Sequence, residues 1–125
     1  MTQSKKKILV VDDSKTALQI ELTILRRGPY EVITACDGEE AVRKAAAERP
    51  DAILMDVMMP KMNGFEACRA IRDVPEIRDV PIIMVTTRGE ESNVEVGFSS
   101  GCTDYVTKPI NGAELLAKIR NVTEA

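Results

Sequence analysis

Five residues of this chain could do chemistry together: Asp12, Asp13, Asp56, Thr86 and Lys108. Each stands at the end of a strand-forming run. Asp12 and Asp13 follow Ile8-Leu9-Val10-Val11, Asp56 follows Ala52-Ile53-Leu54-Met55, Thr86 follows Ile82-Ile83-Met84-Val85, and Lys108 comes just after Thr103 to Val106. Three carboxylates drawn together repel one another and raise one another's pKa unless a positive charge sits among them. A hard divalent cation answers that need, because magnesium is held by one or two carboxylates with water and phosphate oxygens completing its shell. Lys108 adds a point charge suited to phosphoryl oxygens, and Thr86 adds a hydroxyl donor. With that charge screened, one carboxylate can attack phosphorus, whose transfer depends on positioning and charge neutralisation more than on covalent help. The set reads as a phosphoryl-aspartate site. Asp56 leads it, since its apolar run drives straight into the carboxylate and then into a turn at Pro60.

Composition removes several other chemistries. The chain has no histidine, which excludes Ser-His-Asp and Cys-His catalysis, histidine metal ligands and a histidine phosphoacceptor. Any phosphohistidine step therefore belongs to a partner. Cys36, Cys68 and Cys102 are odd in number and lack paired spacing, so they read as reduced packing residues rather than as a disulfide or zinc framework. A length of 125 residues suits one domain, 1–125, and 44% hydrophobic with 30% charged residues is ordinary for a folded soluble chain. The net charge of -3 argues against direct binding to nucleic acid or to an anionic membrane. Lys5-Lys6-Lys7 reads as a solvated flank before the first strand. No apolar stretch approaches the roughly 20 residues a membrane helix needs, and the start lacks a signal-peptide core, so the expectation is no membrane insertion and a cytoplasmic location.

The elements that must position the five residues alternate along the chain. After the first strand, Ser14 caps a helix whose apolar stripe is Ala17, Leu18, Ile20, Leu22, Ile24 and Leu25, and Gly28-Pro29 stops it. Tyr30 to Ala35 is a β-branched, alternating edge strand. Asp37 opens a second helix with capping-box spacing to Glu40, and Pro50 closes it; Asn63 and Glu66 repeat that cap ahead of Phe65, Cys68 and Ile71. Pro75 and Pro81 bound a loop before the Thr86 strand. A weak helix is expected near Glu91 to Ser100, ended by Gly101, and Asn111 starts a last helix carrying Leu115, Ile119 and Val122. Met59 and Phe98 are expected to pack. Strands alternating with helices specify an α/β domain built on a mainly parallel sheet, which gathers ligands at the carboxyl ends of its strands.

At these residues the chain resembles the receiver domain of two-component response regulators. The match rests on Asp12-Asp13, on Asp56 followed by Pro60 and Gly64, and on Thr86, Gly101, Tyr105 and Lys108-Pro109. The resemblance implies a doubly wound, flavodoxin-like five-stranded parallel sheet of order 2-1-3-4-5 with five flanking helices. It implies that Asp56 takes a phosphoryl group from a sensor histidine kinase or a histidine phosphotransfer protein. Asp12, Asp13 and Asp56 would then hold magnesium, or manganese in its place, with the backbone carbonyl of Met58. Thr86 and Lys108 would contact the phosphoryl group, Lys108-Pro109 would be a cis peptide, and Tyr105 would be an aromatic switch coupled to Thr86 that signals to a downstream protein through the face near residues 91–100. Such a protein is a phosphoacceptor that catalyses its own phosphotransfer rather than a turnover enzyme.

Two departures from the family pattern stand out: Thr87 where a smaller residue is usual, and Ser100-Gly101-Cys102-Thr103. Met58 and Arg88 resemble positions that border the hydrolytic water. A thioether cannot orient that water and a guanidinium cannot deprotonate it, so with Thr87 they are expected to prolong the phosphorylated state. Rival readings are a phosphatase with an aspartyl nucleophile, which would carry a second acid at the position of Met58, and a nucleotide-binding domain, which would need glycines where Asp12-Asp13-Ser14 stand. A docking module independent of phosphorylation is a further alternative, as is a receiver domain cut from a longer regulator.

Overall fold

Three of the strand segments are apolar runs too continuous to leave a face to water, and they lie at the centre of a sheet covered on both sides. The computed structural model describes residues 5–59, 61–87, 99 and 101–124. Its strands are β1 (Lys6–Val11), β2 (Tyr30–Ala35), β3 (Ala52–Asp56), β4 (Ile82–Thr87) and β5 (Asp104–Lys108), paired in parallel in the order β2-β1-β3-β4-β5. Four α-helices are found among the described residues: α1 (Lys15–Leu25), α2 (Gly38–Glu48), α3 (Gly64–Arg72) and α4 (Gly112–Thr123), with a 3-10 turn at Pro75–Ile77. Pro60, Arg88, Phe98 and nearly all of the helix expected near 91–100 lie outside the described residues, as does the Thr87 side chain.

Alternation along the strands divides the core in two. Leu9, Ile53, Met55 and Met84 face α2 and α3, where Phe65 and Ile71 meet them. Ile8, Leu54, Ile83 and Val85 face the other way, toward Leu25 of α1 and Leu115 and Ile119 of α4. Side-chain caps start the helices: Ser14 Oγ accepts from Ala17 N, Asn63 and Glu66 form a reciprocal capping box, and Asn111 accepts from Glu114 N.

Several expectations need correction. The first strand begins inside the lysine run, at Lys6, and Lys7 is not a free flank: its Nζ lies 3.0 Å from Glu48 and its N–H donates to Asp51 at 2.7 Å. On α1 the stripe is rotated, with Ile20 52% exposed and Glu21 fully buried. The cap of α2 is not a true box. Asp37 accepts from Glu40 N, but the Glu40 carboxylate accepts from the N–H and thiol of Cys36, at 2.8 and 3.1 Å, which holds Glu40 down to about 2. Cys36 is accordingly exposed, whereas Cys68 and Cys102 are buried packing residues as expected. The last strand starts one residue later than Thr103 and runs to Lys108, because Thr87 pairs with Lys108 at its end.

Glycines matter at two positions. Gly101 has a φ of +100°, which a side chain rarely adopts, and its carbonyl accepts from Arg72 Nε and Nη2 at 2.9 and 2.7 Å. Gly64 opens α3 hard against the end of β3, where an added Cβ would meet the Asp56 carbonyl oxygen at 2.4 Å. Gly64→Ala should therefore destabilise the fold by roughly 1–3 kcal/mol, as at other overpacked sites, seen as a lower midpoint of urea unfolding at unchanged slope.

Candidate functional site

Parallel pairing brings the carboxyl ends of the strands to one edge. Val11 pairs with Met55, so the next residues, Asp12 and Asp56, leave the sheet side by side. Asp12 is fully buried, Asp56 6% exposed, and Asp13 is on the surface. One carboxylate oxygen from each lies within 4.8 Å of the others. The turn into α1 fixes Asp12: its N–H donates to the Ala35 carbonyl at 3.1 Å, and its Oδ1 accepts from Ser14 N at 2.9 Å. Oδ2 of Asp12 is buried without a hydrogen-bond donor.

The last residue of β5 supplies the cation. Lys108 Nζ lies 3.4 Å from Asp56 Oδ1 and 3.7 Å from Asp12 Oδ2, and the Lys108-Pro109 peptide is cis. Burial pulls the Lys108 ammonium down, but Asp56 and Asp12 outweigh it and the net shift is upward. Burial and then the charge of Asp12 push the Asp56 carboxyl up to about 6, against the pull of Lys108. One lysine thus only partly compensates the acids around it.

Thr86 and Tyr105 are close in the fold but do not meet the carboxylates in the same way. Thr86 is one residue beyond Val85, the register partner of Asp56, and its buried hydroxyl faces the Val106 carbonyl at 3.5 Å, a distance at the outer limit of hydrogen bonding. Tyr105 is half-buried against the α2 and α3 side of the core, with Lys118 Nζ 5.5 Å from its ring centroid and 3.0 Å from Asp104. Met58 stands two residues past Asp56 and is 65% exposed. Arg88 falls outside the described residues.

Sequence reasoning missed Glu21. This residue of α1 is fully buried with neither oxygen bonded, and burial followed by the charge of Asp12 pushes its carboxyl up to about 8. The signal was an acid spaced i+4 from Ala17 and i−4 from Leu25, within the apolar face of the helix.

Both raised carboxyls bind protons more tightly in the folded than in the unfolded chain. The stability they contribute is complete below the unfolded values near pH 4 and is lost as the pH rises through about 6 for Asp56 and about 8 for Glu21. In a chelator the melting temperature should fall between about pH 5 and 8, and Glu21→Gln should flatten the upper part of that fall. A melting temperature that climbs across this window would contradict the site electrostatics.

Comparison with known proteins agrees with this geometry. Residues 8–120 match the family model described as the response regulator receiver domain. The alkaline phosphatase synthesis transcriptional regulatory protein PhoP of Bacillus subtilis is 43% identical over 94% of this chain, which spans 48% of that regulator's length. A putative response regulator from Chloroflexus aurantiacus superposes with a TM-score of 0.94 at 34% identity, covering 98% of this chain and all of that one. The receiver domain of the sensor histidine kinase PA1611 from Pseudomonas aeruginosa, solved with a magnesium ion coordinated in its active site cleft, superposes with a TM-score of 0.90 at 34% identity over 98% of this chain and 100% of that chain. An apolar parallel sheet that ends on Asp12, Asp56 and Lys108, and a family match over nearly the whole chain, place this protein among the response regulator receiver domains.

Proposed function

We propose that the whole chain, 1–125, is a phosphoacceptor that takes a phosphoryl group onto Asp56 from a phosphohistidine of a sensor histidine kinase or histidine phosphotransfer protein. The observation that carries this reading is the placement of Lys108 Nζ 3.4 Å from the carboxylate of Asp56, inside a cluster of three acids. In the transfer an Asp56 oxygen forms the new O–P bond, the P–N bond to the imidazole breaks, and the leaving imidazole takes up a proton. Asp56 is the nucleophile, Lys108 neutralises phosphoryl oxygens, and Thr86 turns its hydroxyl from the Val106 carbonyl toward the phosphoryl group.

The acids suit a hard divalent cation. Their donors are all oxygen, they converge within 4.8 Å, and a buried Asp12 oxygen lacks any donor. Asp12, Asp13, Asp56 and the Met58 carbonyl would hold magnesium, or manganese in its place. When bound, the ion supplies charge neutralisation for the acids and the incoming phosphoryl oxygens. Movement of Thr86 leaves room that Tyr105 takes up, and this pair carries the signal to the face near residues 91–100 and to a downstream protein. The chain's own residues catalyse both phosphotransfer and the slower loss of phosphate, so it is not a turnover enzyme. A cytoplasmic setting is consistent with the absence, among the described residues, of any helix long and apolar enough to cross a membrane. No direct nucleic-acid contact is needed.

Incubation with magnesium and acetyl phosphate should add one phosphoryl group, and Asp56→Asn or chelation should abolish it. Magnesium should also raise the melting temperature, since a ligand bound only by the native state stabilises by about 2.7 kcal/mol at a hundredfold excess over Kd. Lys108→Ala should keep that rise and lose the phosphorylation response. Phosphorylation of Asp56→Asn at the parent rate would sink the assignment.

The phosphorylated form should be long-lived. Met58 offers the hydrolytic water no orienting bond, Arg88 cannot accept its proton, and Thr87 is bulkier than the residue usual at its position in the family. After donor removal, Met58→Asn/Arg88→Glu should lose phosphate about tenfold faster than the parent. Equal rates would show that lifetime is set elsewhere.

A further inference from the structure

Tyr105 sits at the rim of the sheet, and a side chain from the opposite face reaches it. β5 ends the strand order, so one of its edges carries no further strand among the described residues. Its side chains alternate: Val106 packs into the layer under α1 and α4, and Tyr105 into the layer under α2 and α3. Asp104, two residues before Val106, belongs with it on the α4 side. Lys118 comes from α4, where it stands between Leu115 and Ile119, and both of those are buried in that same layer.

Lys118 Nζ lies 3.0 Å from Asp104 Oδ1 and 5.5 Å from the centroid of the Tyr105 ring, over the ring itself. The same Asp104 oxygen accepts from Tyr105 N at 2.8 Å. One ammonium thus pairs with an acid on its own face of the sheet and covers an aromatic ring that belongs to the other, so the lysine passes around the edge of β5. A cation within about 6 Å of an aromatic face is attracted by the negative charge of that face. Asp104 fixes where the ammonium stands, and the ring is held by a charge that is itself held.

We propose that Lys118, anchored by Asp104, is a latch on Tyr105: it stabilises the ring in the position seen here and opposes the move that accompanies phosphorylation of Asp56. The inference rests on the Tyr105 switch proposed above and deepens it by naming what sets the resting bias. A ligand shifts a two-state equilibrium only by its difference in affinity for the two states, so a contact made in one state alone must be overcome by whatever selects the other. A partly exposed cation–π contact biases such an equilibrium about two- to fivefold. By linkage, its removal raises the affinity for the selecting ligand by the same factor.

Tyrosine fluorescence reads the ring directly, because the chain has no tryptophan and two tyrosines. In a Tyr30→Phe background Tyr105 is the single emitter, and acrylamide quenching follows its exposure. Beryllofluoride with magnesium, a phosphoryl analogue, is titrated into the full chain and into Lys118→Met, Lys118→Arg and Asp104→Asn. Methionine keeps the apolar stem and removes the charge, with Lys118→Gln as its substitute should it not fold. Arginine keeps the charge and the reach to Asp104. The expected result is that Lys118→Met differs from the parent in quenching before any ligand is added and binds beryllofluoride about two- to fivefold more tightly. Asp104→Asn should move in the same direction, and Lys118→Arg should stay close to the parent. Parent quenching and parent affinity in Lys118→Met would reduce the lysine to a surface pair, and weaker binding there would mean that it favours the switched position; either result overturns the latch. A parent that binds beryllofluoride with no change at Tyr105 would instead overturn the switch, and a parent that does not bind it would overturn the phosphoryl site.

Discussion

The repulsion between carboxylates buried at the end of a parallel sheet is the constraint on which the rest of this protein depends. Asp12 and Asp56 are held side by side by strand register, out of water, with one lysine beside them. Charges so placed are tolerated only when the remainder of the fold offsets the cost of desolvating them. The two apolar layers do that, and they also keep the acids from separating, because Ile8 to Val11 of β1 and all of β3 are buried and cannot slide without exposing both faces. The site is thus under electrostatic tension that the single ammonium of Lys108 only partly relieves.

Much of this was legible in the sequence, for identifiable reasons. Strands covered on both faces announce themselves as unbroken apolar runs, so Ile8 to Val11, Ala52 to Met55 and Ile82 to Val85 could be placed, and with them the acids at their ends. Parallel pairing then required those ends to converge. The caps Ser14, Asn63 and Asn111 were equally plain, because each satisfies the first orphan N–H groups of a helix.

What was not legible is instructive. Apolar residues crowd α1 on nearly every side, so its inward face could not be chosen from hydrophobicity alone, and Ile20 was placed inside while Glu21 was overlooked. Spacing alone could not reveal that Glu40 would serve Cys36 instead of the cap of α2, since the N–H and thiol of Cys36 together offer two donors. The orientation of the Thr86 hydroxyl is a rotamer choice, which sequence does not encode locally. Likewise the extent of β5 was decided by its neighbour, β4, and not by the propensities of Thr107 and Lys108.

Arg72 has a bearing on how a signal can travel. Its guanidinium donates to the carbonyls of Gly101, Arg78 and Val80, tying the end of α3 both to the approach to β4 and to the approach to β5. On the other side, Thr87 is locked to Lys108 by the sheet. The end of β4 and the approach to β5 are therefore each tied to a fixed part of the fold. Arg72 thus works as a three-way clasp, and its loss would free the end of α3 from the approaches to β4 and β5 at a single stroke.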